Sequence, residues 1–247
     1  MTVHFIGAGP GAADLITVRG QNAIAAAPVC LYAGALVPEE LLEKCPQGAR
    51  LVNTAKMTLD EIIDELVTAD QQGLDVARLH SGDPSVLSAM AEQMRRLDAA
   101  GVEYDVIPGV PAFAAAAASL KREFTVPGVS QTVVLTRTAA RATAMPEGQD
   151  LATLGLSRST LVLHLAIQRV DQMVEELVPN YGQDCPVAVV ARASRSDEVV
   201  LRGTLKDIAE QVHAAEIKRT AVLVVGEALA ASQFQDSSLY SPSRQRD

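Results

Sequence analysis

The 247-residue sequence has no tryptophan, and aromatic residues make up only 3% of it. Binding of single-stranded nucleic acid on stacked aromatic platforms is therefore not expected. No apolar run approaches the roughly 20 residues that a membrane-spanning helix needs; the longest mostly apolar stretches, 110–120 and 221–231, fall well short. The opening residues Met1-Thr2-Val3-His4-Phe5 carry no basic segment, so no secretory signal is expected and a cytoplasmic location is. Cysteine is scarce and odd in number. Cys30, Cys45 and Cys185 lie far apart, which argues against a disulfide framework and reads as small buried apolar residues in a reducing compartment. The four histidines, His4, His80, His164 and His213, stand at no metal-ligand spacing to one another or to the cysteines, so no metal site is expected. His164, inside an apolar run, reads as a core histidine with its hydrogen bonds satisfied. Neither a Gly-x-Ser-x-Gly elbow nor a Gly-Lys-Ser/Thr phosphate loop occurs, which removes the common hydrolase and nucleotide triphosphatase chemistries.

Positive charge is also in short supply. Thirty acidic against 21 basic residues give a net charge of −9, which repels a nucleic acid backbone and an anionic membrane surface alike. The excess is uneven: residues 1–118 hold 15 acidic and 7 basic residues, and residues 119–247 hold 15 and 14. An anionic ligand is better received by the second half.

What remains is an ordinary globular composition, 48% hydrophobic and 21% charged, at a length that suits two domains of similar size. Short β-rich runs at Val3–Ile6, Val29–Tyr32, Val76–His80 and Tyr104–Ile107 alternate with amphipathic stretches, which predicts an α/β unit over residues 1–118. Thr58 with Glu61 three residues on predicts a capped helix from Leu59, and Thr17 is the N-cap candidate of an earlier one. Asp83 and Pro84 predict the start of another helix, running to Ala100 with Gly101 past its end. After the Pro- and Ala-rich stretch Pro108–Ser119, strands are expected at Gln131–Thr136, Thr160–Leu165, Val187–Arg192, Glu198–Arg202 and Ala221–Val225, with helices around Arg169–Val178 and Leu205–Ala215. Val187–Arg192 and Glu198–Arg202 are close enough for a hairpin, so residues 119–231 should form a mixed-sheet α/β domain. Residues 232–247 read as a polar tail.

Three glycine-bearing loops each follow a strand: Gly7-Ala8-Gly9-Pro10-Gly11, His80-Ser81-Gly82-Asp83-Pro84 and Ile107-Pro108-Gly109-Val110-Pro111. In a parallel sheet all three lie at the carboxyl edge, where ligands collect. A nicotinamide site would need a carboxylate for the ribose at the end of the second strand, and Leu31-Tyr32-Ala33-Gly34 offers none. Asp83 is the candidate catalytic carboxylate of this group, and two readings of it stay open: an N-cap with a purely structural role, or a contact with a bound cofactor.

The same segments, with Asp14-Leu15-Ile16-Thr17-Val18-Arg19-Gly20 and, in the second half, Pro186–Val190 and Thr220–Val222, resemble the signature regions of the tetrapyrrole methylases, in order and spacing over nearly the whole chain. Within that family, Leu31–Pro38, Asn53–Leu59 and Gly82–Ser85 look most like the branch that methylates C11 of precorrin-4 in cobalamin synthesis. The resemblance implies two α/β domains in a homodimer, with S-adenosylmethionine, converted to S-adenosylhomocysteine, in a cleft between the domains. It implies cofactor contacts at Pro10, Ser81, Gly82, Asp83 and Val86, at Ala112 and Phe113, and at Leu165, Ala193, Thr220 and Ala221. Where members of the family often carry Thr, Met and Gly, this chain has Pro111, Leu165 and Ala193, and Pro111 removes a backbone donor. A metal-free and a cobalt-containing acceptor stay equally open. A nicotinamide-dependent oxidoreductase would share the fold and the first loop but lacks the ribose carboxylate, and a non-catalytic tetrapyrrole carrier would have no use for three such loops. Because such a substrate carries many carboxylates, basic residues should receive it. Lys121, Arg122, Arg137 and Arg141, opposed only by Glu123, are the candidates.

Overall fold

A computed structural model describes residues 1–138 and 143–237. It divides into two units, Met1–Ala115 and Ala116–Asp247. The elements of the first are β1 (Val3–Gly7), α1 (Val18–Ala26), β2 (Val29–Tyr32), α2 (Glu39–Leu42), β3 (Arg50–Asn53), α3 (Leu59–Gln71), β4 (Val76–His80), α4 (Met90–Ala100) and β5 (Tyr104–Ile107). Helix α5 (Ala112–Leu120) carries the chain across the division. The second unit holds β6 (Val133–Arg137), α6 (Leu151–Gly155), β7 (Thr160–His164), α7 (Val170–Tyr181), β8 (Pro186–Ala191), β9 (Val199–Thr204), α8 (Ile208–Ala214) and β10 (Ala221–Val225).

The first sheet has the order β3-β2-β4-β1-β5 with every pair parallel. Parallel strands are covered on both faces, and β1 shows how: Val3 and Phe5 enter one apolar cluster with Ile62, Ile63 and Leu66 of α3 and Leu97 of α4. Ile6, on the opposite face, packs with Ile24 of α1 and Leu41 of α2. Thr58 forms the expected capping box, its hydroxyl accepting from the Glu61 N–H while the Glu61 carboxylate accepts from the Thr58 N–H. Thr17 accepts from the Gly20 N–H at 3.1 Å and caps α1.

The second sheet has the order β6-β7-β10-β8-β9. It is mixed as expected: β6 and β7 are parallel, β10 is antiparallel to β7 and β8, and β8 and β9 form the hairpin. Its core gathers Leu161, Leu163, Met173, Leu177, Val189 and Leu223.

Helices α2 and α6 were not expected, and three further elements depart from the sequence reading in informative ways. The helix expected from Pro84 begins only at Met90, and its N-cap is Ala89 in the left-handed region, φ 55°. Residues 84–89 form turns instead, because the Asp83 carboxylate is used on the loop and not on a helix end. The Ala run of the stretch Pro108–Ser119, for which no element was expected, is helix α5, as the high helix propensity of alanine allows once Pro111 has preceded it. Strand β3 was not expected: it is four residues long, lies at the sheet edge and leaves Leu51 46% exposed, so no apolar alternation marks it.

Candidate functional site

In the first unit the three loops meet at the carboxyl edge, and backbone holds them. The Ala8 N–H donates to the His80 carbonyl at 2.8 Å, the Gly82 N–H to the Gly9 carbonyl at 2.7 Å, and the Gly9 N–H to the Gly82 carbonyl at 3.2 Å. Two glycines are required for closeness alone. A Cβ on Gly7 would stand 2.5 Å from the Gly109 Cα, and one on Gly109 would stand 2.7 Å from the Gly7 Cα and run into the Gly82 carbonyl.

Asp83 ties the second loop to the third. Its Oδ1 accepts from the Ser85 N–H at 2.8 Å and from the Ser85 hydroxyl, and its Oδ2 accepts from the Gly109 N–H at 2.8 Å. Burial pushes this carboxyl up, but the bonds from Ser85 and Gly109 outweigh it and hold its pKa below the usual carboxylate value. An effective general base has a pKa near the working pH, so this geometry suits a carboxylate that fixes loops and not one that moves protons. The N-cap reading of Asp83 is overturned because the helix begins only at Met90, with Ala89 as its N-cap.

Among the other expected positions of this unit, Pro10 and Gly82 are buried, Asp83, Val86, Ala112 and Phe113 half-buried, and Ser81 exposed. His80, at the end of β4, is 5% exposed. Burial and the neighbouring Arg78 charge lower its pKa to about 3, against a hydrogen bond with the Ser88 backbone. It is neutral at physiological pH, and its Nε2 has no hydrogen-bond partner among the described residues. A hollow of about 510 Å³ beside α1, lined by Asp14, Val18, Glu40 and Lys44 among others, includes none of the expected cofactor positions.

In the second unit the expected positions also share one edge. Leu165 follows β7, Ala193 follows β8, and Thr220 directly precedes the antiparallel β10, which Ala221 begins in a register that pairs it with Ala191. The Arg192 N–H donates to the Thr220 carbonyl at 2.8 Å, and the Thr138 hydroxyl to the Leu165 carbonyl at 3.4 Å. Leu165 is 62% exposed, large and apolar. His164 beside it has a buried Nε2 without a hydrogen-bond partner among the described residues, so there it is not the satisfied core histidine expected; burial lowers its pKa.

Backbone strain marks both edges, and no residue pattern announced it. Among the described residues nine non-glycine residues have positive φ, and six of them, Leu87, Ala89, Leu165, Arg192, Ser194 and Thr220, lie at these two places. Each costs roughly 1–3 kcal/mol, and such strain concentrates at functional sites. Glu198 was missed as well: it accepts from the Ser194 N–H at 2.7 Å and from the Ser119 hydroxyl at 2.8 Å, so it sets the strained turn that carries Ala193.

Among the described basic candidates, Lys121 and Arg122 lie apart from Arg137. Lys121 and Arg122 follow α5, and Arg122 donates to the Ala231 carbonyl at 3.1 Å, near the end of the sheet where β6 and β7 begin. Arg137 closes β6 at the other end, roughly 13 Å away at about 3.3 Å per residue. Its guanidinium donates to the carbonyls of Thr138 and Thr143. Arg137 therefore shares the edge of Leu165, Ala193 and Thr220. Arg141 lies outside the described residues.

A family model described as tetrapyrrole (corrin/porphyrin) methylases matches residues 2–209. The chain is 66% identical over 246 residues, 100% of its length and 99% of the relative's, to a precorrin-4 C(11)-methyltransferase of Rhodococcus erythropolis. A crystal structure of a cobalt precorrin-4 methyltransferase superposes with a TM-score of 0.90 at 37% identity, covering 92% of this chain and 95% of that one. A uroporphyrin-III C-methyltransferase of Thermus thermophilus, complexed with S-adenosylhomocysteine, superposes with a TM-score of 0.78 at 26% identity, covering 93% of this chain and 99% of that one.

Proposed function

The chain belongs to the tetrapyrrole (corrin/porphyrin) methylases, and from that premise we propose that it transfers the methyl group of S-adenosylmethionine to C11 of precorrin-4, giving precorrin-5 and S-adenosylhomocysteine in cobalamin synthesis. The observation that carries the reading is the crossing of three glycine loops at one sheet edge of a chain with this ancestry, without the ribose carboxylate that a nicotinamide enzyme needs. We take the protein to work in the cytoplasm, and as a homodimer, which the family resemblance implies.

The residues fit a methyl donor better than a proton-transfer cofactor. When bound, S-adenosylmethionine supplies a methyl group already activated on a positively charged sulfur, so alignment can supply much of the rate without a strong base. This chain offers small, rigid positions for that task. Pro10, Ser81, Gly82, Asp83, Val86, Ala112 and Phe113 in the first unit, and Leu165, Ala193, Thr220 and Ala221 in the second, are the proposed donor positions. Leu165, held outward by its left-handed backbone, offers the apolar surface with which such a site excludes water. Asp83 orients the loops.

Calorimetry tests this reading. S-adenosylhomocysteine should bind with micromolar affinity and NAD should give no heat; the reverse result would exclude a methyl donor and restore the oxidoreductase.

Of the basic candidates, Arg137 is the one proposed to receive a substrate carboxylate, since it shares its edge with four donor positions. Arg137→Ala should raise the tetrapyrrole KM about tenfold, the discrimination that one strong charge-assisted pair gives, and leave S-adenosylhomocysteine affinity unchanged. Added salt should weaken tetrapyrrole binding in the parent more than in the variant. A raised KM in the Lys121→Ala/Arg122→Ala protein, with Arg137→Ala unaffected, would move the carboxylate site to the other end of the sheet.

A further inference from the structure

Two of the proposed donor positions of the first unit, Asp83 and Val86, lie in residues 83–89, a segment outside any helix or strand that contains two left-handed residues, Leu87 at φ 51° and Ala89 at φ 55°. A continuous chain of buried polar groups lies under it. Arg78, in the middle of β4, is 5% exposed and makes no ion pair among the described residues. Its guanidinium is a fork with one prong on each of two neighbours. Nε donates to the Gln93 side-chain carbonyl at 3.0 Å, and one terminal nitrogen donates to the Thr54 hydroxyl at 3.0 Å. Gln93, 3% exposed in the first turn of α4, passes the connection on: its amide donates to the carbonyl of Ala89 at 2.9 Å. Thr54, 6% exposed, donates in turn to the carbonyl of Tyr32 at the end of β2. One side chain thus ties the ends of β2 and β3 to the left-handed residue that closes the 83–89 segment.

Packing does not account for this arrangement. A buried guanidinium without a counter-ion carries a desolvation penalty, and apolar replacements of buried charged groups are often neutral or stabilising. Burial lowers the Arg78 pKa to about 10, which leaves it charged at physiological pH. What an apolar side chain cannot do is hold two acceptors at a fixed angle, and that is the property a planar fork provides.

We propose that Arg78 is a positioning residue for methyl transfer: through Gln93 and Ala89 it sets the conformation of the 83–89 segment, and with it the donor contacts at Asp83 and Val86. The proposal rests on the methyl-donor reading above and adds to it a residue that does not touch the ligand.

Three variants separate this role from a general contribution to stability. Gln93→Glu keeps an acceptor for Arg78, and gives it a counter-ion, but places an oxygen against the Ala89 carbonyl and so cuts the connection to the loop. Arg78→Lys keeps the charge and loses the fork. Thr54→Val strands the other prong and leaves the route to Ala89 intact. Each is measured by urea unfolding, by S-adenosylhomocysteine calorimetry and by steady-state kinetics, with the parent protein in parallel.

Gln93→Glu and Arg78→Lys should each weaken S-adenosylhomocysteine at least tenfold and raise the donor KM to match, with the tetrapyrrole KM unchanged. Thr54→Val should lose stability yet stay within threefold of the parent affinity. Unchanged affinity in Gln93→Glu would overturn the proposal, and so would an affinity loss that follows stability across all three. If Arg78→Lys does not fold, the comparison of Gln93→Glu with Thr54→Val decides alone. A parent protein that does not bind S-adenosylhomocysteine would count against the donor reading itself and not against this inference specifically.

Discussion

Gly109→Ala should destabilise the first unit by more than the roughly 1–3 kcal/mol typical of an added core methyl, and should abolish S-adenosylhomocysteine binding in whatever protein remains folded. An overpacked side chain usually finds relief by turning to another rotamer. Here the new methyl meets only main chain, the Gly82 carbonyl on one side and the Gly7 Cα at 2.7 Å on the other. Those atoms cannot turn away without breaking the bonds between Gly9 and Gly82 that join the first two loops. Gly48→Ala is the matched comparison. Its φ of +82° strains any side chain, but nothing lies within 4 Å of the added methyl, so only the backbone cost of about 1–2 kcal/mol applies. Urea unfolding of the two variants makes the comparison directly. Equal losses would show that the three loops are not locked by close approach.

Asp83→Asn should fold and yet lose methyl transfer by a hundredfold or more. The aspartate accepts on both oxygens, from Ser85 and from Gly109, and none of its contacts is a donation. Asparagine has one acceptor oxygen, so one rotamer of its amide sets an N–H₂ against the Gly109 N–H and frees the third loop, and the other sets it against the Ser85 N–H and disturbs the second loop itself. Charge-assisted bonds of this kind contribute roughly 1.5–3 kcal/mol each, a fraction of the stability of a domain but enough to move a donor contact.

The same residue predicts a pH dependence. Because its carboxyl titrates lower in the folded protein than in the unfolded chain, its contribution is complete above the unfolded carboxylate pKa of about 3.9 and is lost as the pH falls through the depressed folded value. The parent should therefore lose stability at acid pH by more than Asp83→Asn does. Parallel acid limbs for the two proteins, or an Asn variant with parental turnover, would remove the bridging role.

How far the sequence anticipated this structure depended on whether a feature is local. Val29–Tyr32, Val76–His80, Tyr104–Ile107 and Ala221–Val225 are legible as strands to the residue, since β-branched runs between Gly, Pro and Asp carry the signal in themselves. The Thr58–Glu61 box is equally local. The convergence of three glycine loops followed from their all ending parallel strands, so the first half of the site was legible too. The helix start at Asp83-Pro84 was misread because the same two residues open a turn as readily as a helix, and the choice was made by the Gly109 N–H, 26 positions away. The strained residues were invisible for a related reason. Left-handed backbone is read from glycine and asparagine, and here Leu87, Leu165, Arg192 and Thr220 adopt it under tertiary constraint. Nothing in the spacing of Arg78, Thr54 and Gln93 marks them as partners, and the basic residues after the division were grouped by their closeness in sequence, although the strand expected at Gln131–Thr136 stands between Arg122 and Arg137.

The central claim is tested most directly by incubating the purified protein with precorrin-4 and S-adenosylmethionine labelled with ¹³C in its methyl group, then mapping the labelled carbon of the product by NMR. One new methyl resonance correlated with C11, appearing in step with S-adenosylhomocysteine, is the result expected. The same resonance only from the cobalt-containing acceptor would keep the chemistry and change the substrate. A methyl at any other ring carbon, or label remaining in the donor with both acceptors, would contradict the account.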